Sequence, residues 1–286
     1  MNDKPQKHNL RPLWNAILDV YKIFAGICEQ HGLRYCAHSG TALGAVRHGG
    51  FIPWDDDMDV QMPRPDYEKF AKIAPEELPS GYAWLDRFNC AEYDNPFGKV
   101  IVTDKEVVER VAKDSGLSIG QGIFVDVFPL DGFPDTRVGV LLRRTQNILM
   151  EMGFKMALGG NTWKAKIARV LGRFLCPGKY RVDSQRRLSD LYDERAKTIP
   201  FGSTGMCVSI GAAHYYDDKP FPFKFFGVPR RVPFDDTTMP VHEDVNGYLT
   251  CIFGDYMKLP PEDKRIGRHG NYSRIMPWRF GPTNEE

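Results

Sequence analysis

With 286 residues, 42% hydrophobic and 26% charged, the chain can bury a substantial core, as one large domain or as a domain carrying an insertion. No stretch of about eighteen apolar residues occurs, which excludes a membrane-spanning helix. The net charge of +1 hides a basic block, since Arg137 to Arg187 holds 12 Lys or Arg against 2 acids, a balance of +10, leaving the remainder at −9. Met1 to Pro12 is polar, with two prolines, and reads as a loose arm and not as a signal peptide. Leu13, Trp14, Ile17, Leu18, Tyr21, Phe24, Ile27 and Cys28 recur at helical spacing, so an amphipathic helix is expected from Leu13 to Gly32. Leu33 to Ala37 is short and partly apolar, Ser39-Gly40-Thr41 makes a turn, and a helix follows from Ala42 to about Arg47.

Asp57 to Pro63 alternates polar and apolar residues, the period of a strand with one wet face. Pro65 opens a helix over Asp66 to Ala74. Further strands are expected at Tyr82–Arg87, Lys99–Thr103, Glu106–Ala112 and Gly122–Phe128. Mixed strands and helices over this stretch argue for an α/β (α+β) fold, a mixed sheet with flanking helices. From Val138 to about Thr198 the pattern is helical, broken at Gly159-Gly160-Asn161 and Cys176-Pro177-Gly178. Short proline-punctuated pieces follow, then a helix over Glu243 to Phe253. The resulting division is a mixed-sheet core at 1–136, a basic helical insertion at 137–200 and a C-terminal region at 201–286 that packs on the core. Cys28, Cys36, Cys90, Cys176, Cys207 and Cys251 are scattered without a CxxC pair, and read as reduced core residues of a cytosolic protein.

The chemistry concentrates in residues 39–60. Residues two apart on a strand share a face, so Asp57 and Asp59 can hold one cation, and hard oxygen ligands suit Mg²⁺ or Mn²⁺. An Asp-x-Asp pair occurs by chance about once in a chain of this size. Two other features give this one meaning. Asp126 sits inside the apolar run Gly122-Ile123-Phe124-Val125-Asp126-Val127-Phe128-Pro129, where an ionised carboxylate needs a shared metal or, alternatively, a salt bridge to a nearby Arg or Lys. Ser39-Gly40-Thr41 joins small residues to a helix N-terminus, which can seat a phosphate. Arg47, His48 and Lys99 are candidates for neutralising phosphate charge. Trp54 is either a core plug or a platform for a ring or a quaternary amine.

The runs Gly40-Thr41-Ala42-Leu43-Gly44-Ala45-Val46-Arg47, Gly50-Phe51-Ile52-Pro53-Trp54-Asp55-Asp56-Asp57-Met58-Asp59, Phe124-Val125-Asp126-Val127-Phe128-Pro129-Leu130-Asp131 and Phe253-Gly254-Asp255-Tyr256-Met257-Lys258-Leu259-Pro260-Pro261 resemble the LicD/fukutin family. The resemblance implies a nucleotidyltransferase fold and transfer of phosphocholine from CDP-choline, or of an alditol phosphate from a CDP-alditol, to a sugar hydroxyl. It implies that Asp57 and Asp59 are the metal-binding pair, Asp126 the third acid, and Gly40 and Thr41 the phosphate-contacting turn. Two departures occur: a usual Phe-Glu is Phe234-Asp235 here, and Phe253 stands where Tyr is common before Gly254.

The expected reaction is in-line attack of a glycan hydroxyl on the distal phosphorus with CMP leaving, Asp126 assisting deprotonation. Lys164, Lys166, Arg169 and Arg173 interleave with Trp163, Ile167, Val170, Leu171 and Phe174, so residues 163–175 form a basic amphipathic helix suited to an anionic membrane carrying a lipid-linked acceptor, or to packing on the core. Nucleic acid is not an expected partner, since no binding motif occurs and the rest of the chain is acidic. Two other readings are a nucleotidyltransferase releasing pyrophosphate and a non-catalytic nucleotide- or glycan-binding module. A choline site would want aromatic rings, and Trp54, Tyr82, Trp84, Phe97 and Trp278 are available for it.

Overall fold

The computed structural model describes residues 9–117, 119, 122–158, 184–209 and 219–265. A single mixed sheet is built around β5 (Phe124–Phe133), which is buried along its whole length. Its apolar run suits a strand covered on both faces. β5 pairs in parallel with β2 (Asp59–Pro63) on one edge. On the other edge it pairs antiparallel with β4 (Gly98–Val102) over Phe124–Val127, then with β6 (Met206–Ser209) over Leu130–Phe133. Pro129, which has no N–H to donate, falls between those two ladders. β1 (Cys36–Ala37) lies outside β2, β3 (Tyr82–Leu85) outside β4, and β7 (Phe221–Pro222) outside β6. A separate hairpin pairs β8 (Arg230–Phe234) with β9 (Thr237–Val241).

Helix α1 (Arg11–Gln30) lays Leu13, Ile17, Val20, Tyr21, Phe24 and Ile27 into the core at the expected spacing. Arg11 and Pro12 belong to it, so the polar arm ends earlier than the sequence suggests. α2 (Ser39–Arg47) follows β1, and α3 (Arg64–Glu77) follows β2, with Pro65 in its first turn. α7 (Val245–Phe253) packs on α2, and β9 packs on β1. Residues from beyond 200 therefore both widen the sheet and cover α2 and β1.

The expected strand over Glu106–Ala112 is a helix, α4 (Lys105–Ser115). Asp104 caps it by accepting from the N–H groups of Glu106 and Val107, and Gly116 ends it in the left-handed region at φ 70°. These end signals outweigh the β-branched content of Val107, Val108 and Val111. The wet face expected on β2 also fails at Gln61, which is wholly buried. Its amide donates to His242 Nε2 at 2.5 Å, and its carbonyl accepts from Ser209 Oγ at 2.7 Å, so a strand edge and a hairpin residue replace water.

The basic block supplies α5 (Arg137–Leu158) and α6 (Gln185–Ala196), which share a small core of Met150, Leu188, Leu191, Tyr192 and Ala196. Buried ion pairs join this pair to the sheet. Arg64 bonds Asp131 of β5 at 2.8 and 2.5 Å and approaches Asp193 of α6 at 2.8 Å, while Arg87 bonds Asp193 at 2.5 Å and Asp190 at 3.0 Å. The helix expected at 163–175, the breaks at 159–161 and 176–178, Cys176 and Trp278 lie outside the described residues. Among the described residues no helix is long and apolar enough to cross a membrane. The described cysteines are all free thiols, four of them buried, and Cys251 is exposed and not part of the core.

Candidate active site

The register of the sheet brings the separated acids together. Asp59 of β2 stands opposite Asp126 of β5, and Asp126 stands opposite Lys99 of β4, so the three side chains form one row across adjacent strands on one face. Lys99 Nζ is ion-paired with Asp126 Oδ1 and lies over the Phe124 ring, 3.5 Å from its centroid. The salt bridge offered as an alternative to metal is therefore made, and Lys99 sits buried on a carboxylate instead of facing outward. Asp59 is crowded: burial raises its carboxyl pKa well above the ordinary range, and the charges of Asp57, Asp126 and Asp55 push in the same direction.

Ahead of β2, Asp55, Asp56 and Asp57 each place a carboxylate oxygen within 4.8 Å of the others. Asp55 and Asp56 were legible as part of the acidic run but were not singled out as site residues. The loop that carries them is fixed from outside. Trp14 Nε1 donates to the Asp55 carbonyl at 2.8 Å, and Trp14 stacks on Phe51 at 5.3 Å. Asp235 N–H donates to the Gly49 carbonyl at 2.8 Å, and the Asp235 carboxylate accepts from Phe51 N–H at 3.2 Å and from Arg11 at 2.5 Å. A Cβ on Gly50 would stand 2.4 Å from that carboxylate, so only glycine fits there. The departure at Phe234-Asp235 thus braces the acidic loop.

Ser39, Gly40 and Thr41 form the first turn of α2 and not a separate turn before it. Their amides are among those a helix leaves without an internal carbonyl. Thr41 Oγ1 accepts from Asp59 N–H at 2.8 Å, and His38 N–H donates to the Asp59 carbonyl at 2.9 Å, so turn and acid are locked together. Gly40 faces Asp55, whose Oδ2 lies 3.0 Å from where a Cβ would be. Ser39 has φ 42° and donates its N–H to Tyr248 Oη at 3.1 Å. His38, the N-cap, shares a hydrogen bond with Tyr248 Oη through Nδ1 at 2.9 Å, and loss of hydration lowers its pKa to about 4, so the ring is neutral. His38, Gln61, His242 and Tyr248 carry no local motif. The buried polar spots they make become visible only once the chain is folded.

Arg47 and His48 sit at the other end of α2. Arg47 donates to His48 Nε2 at 3.0 Å and to the Tyr256 carbonyl at 2.8 Å, which gives the Phe253–Pro261 run a bracing role. His48 meets Trp54 edge-on at 6.4 Å, and the Arg265 guanidinium lies 5.7 Å from the Trp54 ring centre. Trp54 is half-buried and packs partly on the core. Of the other aromatics considered for a choline site, Trp84 is buried against Tyr67 and Phe70, while Phe97 lies beside Phe128 and Lys99. A cavity of about 440 Å³ elsewhere, lined by Arg64, Tyr67, Arg87, Phe88 and Asp193, lies at the opposite end of β2 from Asp59.

Acids on neighbouring strands lie beside a helix N-terminus, and residues 32–136 match the family model for the LicD/FKTN/FKRP nucleotidyltransferase domain. That match takes in just over a third of the chain, and with the likeness of the whole chain to a phosphotransferase it supports an enzyme of the phosphotransferase class. It is 25% identical to the lipopolysaccharide cholinephosphotransferase LicD of Haemophilus influenzae over 278 residues, 95% of this chain and 100% of the relative. It is 42% identical to human ribitol 5-phosphate transferase FKRP over 45 residues, 16% of this chain and 9% of that protein. An uncharacterised protein of Rickettsia typhi is 43% identical over 70 residues, 24% of this chain and 21% of the relative.

Proposed function

We propose that the chain transfers phosphocholine from CDP-choline to a hydroxyl of a cell-surface glycan or its lipid-linked precursor, releasing CMP. Support comes from the end-to-end likeness to a lipopolysaccharide cholinephosphotransferase. The observation that carries the reaction class is the row Asp59–Asp126–Lys99 beside the first turn of α2.

The donor set fits a hard divalent cation. Its atoms are all carboxylate oxygens, and the crowding that raises the Asp59 pKa is the strain a cation relieves. Asp57, Asp59 and Asp126 would hold Mg²⁺ or Mn²⁺, with Asp55 and Asp56 alongside. When bound, the ion neutralises the diphosphate and the departing CMP. The first-turn amides of Gly40 and Thr41 bind the diphosphate oxygens and orient the donor. Arg47 and His48 add positive and hydrogen-bonding groups at the far end of α2. Lys99 fixes the Asp126 carboxylate, which takes the proton from the acceptor hydroxyl as its oxygen bonds the distal phosphorus. The bond from that phosphorus to the oxygen bridging to CMP breaks, and CMP carries the charge away.

The site of action is the inner face of a membrane. On α5, Val138, Leu141, Leu142 and Ile148 are exposed, beside exposed Arg137 and Arg144. An apolar and basic outer face suits an anionic lipid surface, as does the sequence of residues 163–175.

Incubation with CDP-choline, Mg²⁺ or Mn²⁺ and a glycan acceptor is expected to yield CMP and phosphocholine-labelled glycan. Asp57→Asn and Asp126→Asn should each lower turnover about 10²–10³-fold. Pyrophosphate release from CTP in place of CMP release from CDP-choline would favour a nucleotidyltransferase, and near-normal transfer by Asp57→Asn would overturn the metal assignment.

A further inference from the structure

Ser39 is a non-glycine residue at φ 42°, and such a backbone persists only when its surroundings hold it. Its N–H donates to Tyr248 Oη at 3.1 Å, and the same hydroxyl shares a hydrogen bond with His38 Nδ1 at 2.9 Å. One phenol oxygen therefore holds two consecutive residues, those that open α2. Tyr248 is itself held firmly. It is wholly buried, stacked on His242 at 3.7 Å and 16°, and met edge-on by Phe221 at 4.9 Å. His242 is anchored in turn by Gln61, two residues beyond Asp59 on β2. The chain of contacts runs from the acid strand, through the C-terminal helix, to the turn.

We infer that Tyr248 is a positioning residue for the donor's diphosphate, its hydroxyl holding the strained opening of α2 so that the Gly40 and Thr41 amides face the phosphates. This rests on the proposed use of that turn for a CDP-linked donor. Tyr248 does not touch the donor. It acts by holding residues 38 and 39, whose orientation sets that of the next two amides. The ring serves packing, and the single oxygen serves alignment.

Tyr248→Phe separates the two roles, since it keeps the ring and removes the oxygen. Without ligand, hydrogen exchange at amides 39–41 is expected to quicken at least tenfold. With substrates, the KM for CDP-choline should rise about five- to twentyfold while the acceptor KM stays within twofold. Val245→Ala, a buried truncation on the same helix, serves as the control for lost packing. It should lower the melting temperature without moving either readout. Should Tyr248→Phe fold poorly, Ser39→Gly supplies a background in which φ 42° costs little, and there the added loss of the hydroxyl should change exchange at 40–41 far less. Exchange in Tyr248→Phe equal to that in Val245→Ala, or an unchanged donor KM, would overturn the inference. Failure of the wild type to turn over any CDP-linked donor would instead overturn the proposed function, and exchange would still decide whether the hydroxyl holds the turn.

Discussion

Asp59 stands opposite Asp126 and within the field of Asp57 and Asp55, in surroundings that raise its pKa through burial first and like charge second. A carboxyl whose folded-state pKa lies above its unfolded value binds its proton more tightly when folded. Without a cation, stability is therefore greatest below the unfolded value and falls as pH rises through the folded one. Asp59→Asn removes that penalty. The metal-free variant should melt a few degrees higher than the wild type at pH 7, about 2–4 °C for each kcal/mol regained in a chain of this size, while transfer is lost. The difference should shrink as the pH is lowered towards 4. Calorimetry in a chelating buffer measures the first effect, and CMP release the second. A variant that melts lower at pH 7 would show that the carboxylate is not crowded.

At the scale of elements, Arg64 links α3, β5 and α6. The two acids it meets respond differently. At Asp131, burial raises the pKa despite its Arg64 partner. At Asp193, burial also acts upward, but Arg64, Arg87 and Lys197 together hold the carboxyl below its ordinary value. Asp131 also feels the like charge of Asp193, whereas Asp193 is surrounded by three cations. The Asp193 contribution is present above the unfolded carboxyl pKa and is lost as pH falls through the lowered folded one. Arg64→Ala leaves Asp131 without its guanidinium partner and should cost about 3–5 kcal/mol, read by urea unfolding, whereas Arg64→Met together with Asp131→Leu should recover part of it. Elements with strong local signals were legible before folding: α1 from its apolar stripe, α3 from Pro65, and α2 with its turn from the run of small residues. α4 was misread because Val107, Val108 and Val111 suggest a strand, although Asp104 and Gly116 mark the ends of a helix. The short strands β6 to β9 carry no readable period, since each has two to five residues and β7, β8 and β9 are also broken by proline. Nor could register be read, and it is register that puts Asp126 opposite Asp59 and spends Lys99 on it.

At the scale of the whole molecule, the face that carries Asp59 and Asp126 and the basic block are separate features joined by buried charge. Exposed Leu141 and Leu142 on α5 give the block an outward apolar side. Leu141→Glu with Leu142→Glu should cut co-sedimentation with anionic vesicles several-fold, while transfer to a water-soluble acceptor stays near wild type. Equal binding to neutral and anionic vesicles, or no binding by the wild type, would remove the membrane surface from the reading.

The segment matched by the family model ends at 136, but the parts that steady it do not. Asp235 clasps the loop of the acids, Tyr256 receives Arg47, and Tyr248 grips the opening of α2. A chimaera that swapped residues 32–136 for those of a relative would import every acid and lose its moorings. Donor preference should therefore travel between relatives only when residues 234–256 are transplanted along with the catalytic segment.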